Sequence, residues 1–201
     1  VDALAHVSQD GMVYGNVPIA DCFQNGKFVS HGIDQMKPVV ARGLFLDIAK
    51  LKGAEILPGG HAITASDLDA ACEAIGATPN PGDAVIIRTS WGKHFSVDAK
   101  TYIGHDSGVP GPDESAGNWL AERKVVVTGS DTTAFEHIAP GKGHSVLPVH
   151  RILLVDAGIH IIEHMNLEDA AVNNLTEFMF VLAPLKILGG TGSPVRPLAV
   201  I

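Results

Sequence analysis

Short unbroken apolar runs alternate along this chain with stretches in which apolar positions recur every three to four residues. That is the pattern of buried strands interleaved with one-sided helices. VVARGLFLDI (39–48), AVIIRT (84–89) and VVVTG (125–129) read as strands, the last buried on both faces. IHIIE (159–163) reads as a further strand, TEFMFVLAPLKI (176–187) as one ended by Pro184, and GGTGSPVRPLAVI as a glycine turn into a last strand. Between them, TASDLDAACEAIG predicts a helix. Ser66 and Asp69 give an S-x-x-D start, Leu68, Ala71, Cys72 and Ile75 share a face, and Gly76 suits the C-terminal cap. DESAGNWLAERK predicts a second helix, and PVHRILLVDAG a third, from Pro148 to a cap at Gly158. Residues 8–36 read as loop with short elements, 92–112 as a Gly- and Pro-rich loop long enough to be functional, and 130–147 as another irregular loop. The expectation is one α/β domain over residues 1–201, mixed and β-rich.

Composition narrows the class. The 201 residues are 46% hydrophobic and 18% charged, a globular balance. A net charge of −8 and the lack of a basic stripe argue against a nucleic-acid surface, and no polybasic cluster offers a hold on an anionic membrane. The longest apolar stretch, FMFVLAPL, is far too short to span a bilayer. Cys22 and Cys72 lie fifty residues apart with no CxxC pairing, which fits a reducing compartment better than a disulfide framework. Ten histidines are a high count, and imidazole is the commonest metal ligand.

Two pairs could carry chemistry. Asp2 and His6 stand four residues apart; they could be a satisfied carboxylate and a surface imidazole, or two members of a divalent-metal site. His150 and Glu163 interrupt the apolar segments LPVHRILLV and HIIEHM. A carboxylate there is costly to bury unless paired or bound to a cation; a helix-cap histidine and a glutamate leaving a sheet edge is the other reading. Asp131, in GSDTT after a strand, either serves a site or caps a turn. GGTGSPVR lacks the lysine and spacing of a phosphate loop and reads as a tight turn. No GxSxG elbow is present, and neither cysteine has an activating context.

Taken in order, these segments resemble the cyclase family of metal-dependent hydrolases, which includes bacterial kynurenine formamidases and isatin hydrolases. DALAH (2–6) matches the tail of that family's His-x-Gly-Thr-His-x-Asp run and the histidine four residues beyond it. ITASDLDAA, PGDAVIIRTSWG, NWLAERKVVVTGSDT, PVHRILLVDAGIHIIEHMNLE and APLKILGGTGSPVRPLAVI follow in the family's order. The resemblance implies a swivelling β/β/α fold and a Zn or Mn site. Asp2, His150 and Glu163 resemble its metal ligands, and His6 the histidine that moves a proton. Two further histidine ligands are expected upstream of Val1, so that the chain begins inside the site. Isatin-hydrolysing members carry an amide side chain where this chain has Glu163.

The implied activity is hydrolysis of a C–N bond in an aryl formamide such as N-formylkynurenine, or in a lactam such as isatin. The resemblance also implies a small aromatic substrate, a homodimer or larger homo-oligomer, and a cytoplasmic location. Trp91, Phe95, Tyr14 and Phe23 are candidates for stacking on the substrate. The other class is a binding or structural relative that keeps the core with an incomplete site.

Overall fold

The computed structural model describes residues 1–144 and 146–201. Its centre is a six-stranded mixed sheet. Strands β1 (Val39–Asp47), β2 (Ala84–Arg88), β3 (Val127–Ser130) and β4 (His160–Ile162) run parallel; β5 (Glu177–Leu182) and β6 (Leu198–Val200) close the other side antiparallel. The spatial order is β4-β3-β2-β1-β5-β6. The register pairs Leu44 with Val85, Val85 with Thr128, and Ile161 with Thr128.

Side chains alternate across a strand, so each face of the sheet gathers its own core. On one face Leu46, Val85, Ile87 and Ile161 pack against helices α1 (Ala65–Ile75), α2 (Glu114–Glu122) and the segment 148–157. On the other, Phe45, Ile86, Val127, Ile162, Phe178 and Phe180 meet Ala3, Ile33, Met36 and Leu167. Gly43 of β1 is required here: a Cβ would stand 2.5 Å from the Phe178 ring.

The predicted strands and helices are present, with differences that have local causes. Helix α1 is capped by Thr64, not by Ser66. Thr64 Oγ1 accepts from the Asp67 amide, and the Asp67 carboxylate accepts from the Thr64 amide, a closed capping box two residues earlier than the S-x-x-D reading. Asp69 instead accepts from Trp119 Nε1 at 2.6 Å and from Arg123 at 3.0 Å. Gly76 is the left-handed C-cap as expected, with φ 69°. Residues 92–112 are not wholly loop: a short helix, Ala99–Ile103, starts where the Asp98 carboxylate accepts from the Thr101 amide. The predicted third helix begins with one α turn, Pro148–His150, and widens to π-helical spacing over Arg151–Ala157. Ile152, Leu153, Leu154 and Val155 are all buried along it, and Gly158 ends it with φ 70°, its Cα facing the Tyr14 ring.

Arg88, at the end of β2, is buried between Asp47 and Glu168, with N···O separations of 2.9 Å to each. This clamp pins the segment that follows β4 against the sheet. Among the described residues, no helix is long and apolar enough to cross a membrane.

Candidate metal centre

The segment around Asp2 is stitched into the molecule from both sides. Its amide donates to Ile161 of β4 at 2.8 Å, and the Ala3 amide donates to Thr191 at 2.9 Å. His160 Nδ1 donates to the Asp2 carbonyl at 2.9 Å. GGTGSPVR is therefore a turn, as read from the sequence, and its work is to hold Val1–Ala3 beside β4.

This stitching aims Asp2 at the first turn of the 148–157 segment. Asp2 Oδ2 lies 3.9 Å from His150 Nε2, and Asp2 Oδ1 lies 3.9 Å from His6 Nδ1. Glu163, the residue after β4, places Oε1 3.3 Å from the same His150 Nε2. The four residues of the two pairs thus converge, although 161 positions separate Asp2 from Glu163. Within them, donor atoms of Asp2, His6 and His150 lie within 4.8 Å of one another. His6 is the open side of the group, 41% exposed, whereas the His150 side chain is 1% exposed.

The electrostatics follow from burying carboxylates and imidazoles together. Burial, then the neighbouring Glu163 carboxylate, pushes the Asp2 carboxyl above its ordinary range, against the pull of His6 and His150. Burial also works against a charged His150, but hydrogen bonds to Glu136 and Glu163 outweigh it and raise its pKa to about 9. Asp2 Oδ2 is buried and has no hydrogen-bond partner, alone among the buried carboxylate oxygens of the described residues. Two carboxylates, one with an orphaned oxygen, and two imidazoles form a donor set suited to a divalent cation.

Sequence reasoning missed two supporting residues. Glu136, 1% exposed, accepts from His150 Nδ1 at 2.7 Å, and His160 holds the Asp2 backbone. The available signal for Glu136 was that it is the single acid between Asp131 and Asp156. Asp131 lies outside the cluster: it is fully hydrogen-bonded to Thr89 and Gly92. Cys72 is buried, which raises its thiol to about 11, and Cys22 donates to the Pro18 carbonyl; neither joins the site.

Glu163 also forms part of the wall of a cavity of about 550 Å³ on the opposite face of the sheet from the helices. Phe45, Ile86, Phe178 and Phe180 line it. The four aromatics proposed from sequence are elsewhere. Trp91 donates Nε1 to the Tyr102 carbonyl, Phe95 stands edge-on to Tyr102, Tyr14 covers Gly158, and Phe23 packs on Phe28.

Comparison with known proteins places the chain in a family. The Cyclase family model ("Putative cyclase") matches residues 1–137. An isatin hydrolase from Roseibium aggregatum is 30% identical over 138 residues, which is 68% of this chain and 51% of that protein. The crystal structure of a novel cyclase superposes with a TM-score of 0.86 at 31% identity, over 100% of this chain and 68% of that one. An isatin hydrolase bound to the product analogue thioisatinate shares the fold, with a TM-score of 0.72 at 24% identity over 100% of this chain and 70% of that one. The chain belongs to the Cyclase family. It spans about half the length of the curated isatin hydrolase it matches.

Proposed function

We propose that this protein is a metal-dependent hydrolase that opens a carbonyl–nitrogen bond in an aryl formamide or a fused aromatic lactam. The observation that carries this reading is the buried, unpartnered Asp2 Oδ2 facing His150 Nε2, with Glu163 on the same nitrogen. Asp2, His150 and Glu163 would hold the ion. A divalent ion held there supplies Lewis-acid polarisation of the carbonyl and lowers the pKa of water toward about 7. His6, on the open side, takes the proton from water and returns one to the leaving nitrogen. The largely apolar cavity beside Glu163, with three phenylalanines in its wall, suits a flat aromatic body. The similarity to an isatin hydrolase supports the lactam arm; the carboxylate at Glu163 supports the formamide arm.

The test is elemental analysis of the purified full-length protein, followed by hydrolysis of N-formylkynurenine and isatin with and without a chelator. Near-stoichiometric Zn or Mn and chelator-sensitive turnover of one substrate are expected. A protein that holds no metal, or one whose turnover survives the chelator, is not this enzyme.

A further inference from the structure

We propose that Glu136 positions His150 for the metal site, by accepting the imidazole Nδ1 proton and so keeping the Nε2 lone pair turned toward Asp2 and Glu163. The inference rests on the metal-site reading above. Glu136 Oε1 accepts from His150 Nδ1 at 2.7 Å and from the His150 amide at 2.8 Å; Oε2 accepts from the Val149 amide at 2.9 Å. Both side chains are 1% exposed. One carboxylate thus fixes the ring and the backbone that carries it.

The tautomer follows from this geometry. Both ring nitrogens face carboxylates, which only accept, but Glu136 Oε1 stands 2.7 Å from Nδ1 and Glu163 Oε1 3.3 Å from Nε2, so a neutral ring keeps its one hydrogen on Nδ1, the shorter contact. The neutral ring then presents a bare Nε2, the form that can bind a cation, and the buried charge behind it makes that nitrogen a better donor. The loop carrying Glu136 is itself seated tightly. A Cβ on Gly111 would stand 2.4 Å from the Phe135 carbonyl and 2.5 Å from the Glu136 carbonyl carbon, so a glycine is needed beneath it. The His137 amide donates to Pro112 at 2.9 Å on the same stretch.

A plain helix-start cap would satisfy the Val149 and His150 amides equally well, but it would not dictate where the His150 proton sits. Two measurements separate the roles. The first needs no variant: long-range ¹⁵N–¹H correlation spectra of the metal-free chain, followed across a pH series to the form in which the His150 ring carries a single hydrogen. Hydrogen on Nδ1 is expected; hydrogen on Nε2 overturns the proposal. The second is zinc affinity by chelator competition for the wild type, E136Q and E136D, with thermal melting alongside. E136Q keeps the shape but sets an NH₂ against an amide N–H; it should weaken zinc about 10–100-fold, and E136D should recover part of that loss. E136Q with wild-type zinc affinity overturns the proposal. A wild type that binds no zinc defeats the metal-site reading instead, and the ring-proton measurement still decides the role of Glu136.

Discussion

Asp2 and Asp131 are both buried, both acidic and both near the ends of the parallel strands, yet the structure treats them in opposite ways. Asp131 is 1% exposed. Its Oδ1 accepts from the Thr89 amide at 2.9 Å and the Thr89 hydroxyl at 2.7 Å, and Oδ2 from the Gly92 amide at 3.4 Å. Burial still raises its pKa, but the hydrogen bonds oppose that. Asp2 has an oxygen with nothing to accept, and a second carboxylate within the same cluster. A satisfied buried acid ties β2 to β3. An unsatisfied one costs stability and persists where something else completes it. The contrast separates a structural acid from a proposed ligand more sharply than burial or sequence position does.

The largest expected effect lies in turnover. If His6 moves the proton, His6→Ala should lower kcat by about 10²–10⁴-fold while the bound metal stays close to the wild-type amount. Steady-state assay together with elemental analysis checks it. Loss of the metal with unchanged turnover per bound ion would make His6 a ligand, as its place in the three-residue donor cluster also allows.

The next two changes test the contrast directly. Asp131→Ala strands the Thr89 and Gly92 amides in the interior and should destabilise the fold by about 3 kcal/mol. Chemical denaturation reads this, and zinc affinity of the folded fraction should not move. Asp2→Asn should do the reverse. Its carboxyl pKa is raised in the folded chain, so the ionised form opposes folding near neutral pH, and that penalty shrinks as pH falls. The metal-free Asn variant should therefore be more stable by about 1 kcal/mol, while stoichiometric zinc is lost. If Asp2→Asn destabilises the metal-free chain as much as Asp131→Ala does, the two acids are alike and the contrast fails.

Much of this arrangement is legible in the sequence, and what is legible follows from pattern. Parallel strands buried on both faces leave unbroken runs such as AVIIR, so β2 is plain. Asp2, His6, His150 and Glu163 are visible because each breaks an apolar or small-residue setting and because their segments resemble one family in order. Glu136 is not visible in this way. Its partners are the backbone and ring of residues 13 and 14 positions away, reached through a loop with no period. The aromatic cavity is hidden for a related reason: Phe45, Phe178 and Phe180 read as ordinary strand residues, and only the pairing of β1 with β5 brings them together.

Asp67 extends the comparison to the surface and carries the smallest expected effect. Burial would raise its pKa, but hydrogen bonds from Lys52 and Thr64 prevail and hold the carboxyl below its ordinary range. It is a satisfied acid like Asp131, without the depth. TASDLDAA contains two overlapping signatures, Thr64 with Asp67 and Ser66 with Asp69, and spacing alone does not choose between them. The choice is made by tertiary partners: Trp119 and Arg123 occupy Asp69, which leaves Asp67 to answer the Thr64 amide. Thr64→Ala should therefore cost about 1 kcal/mol, while Ser66→Ala, inside the helix with no capping bond, should change stability by less than about 0.5 kcal/mol. Paired urea melts of the two variants read the difference. Equal losses would return the helix start to the later signature, and with it the claim that hydrogen-bond satisfaction assigns each acid its role.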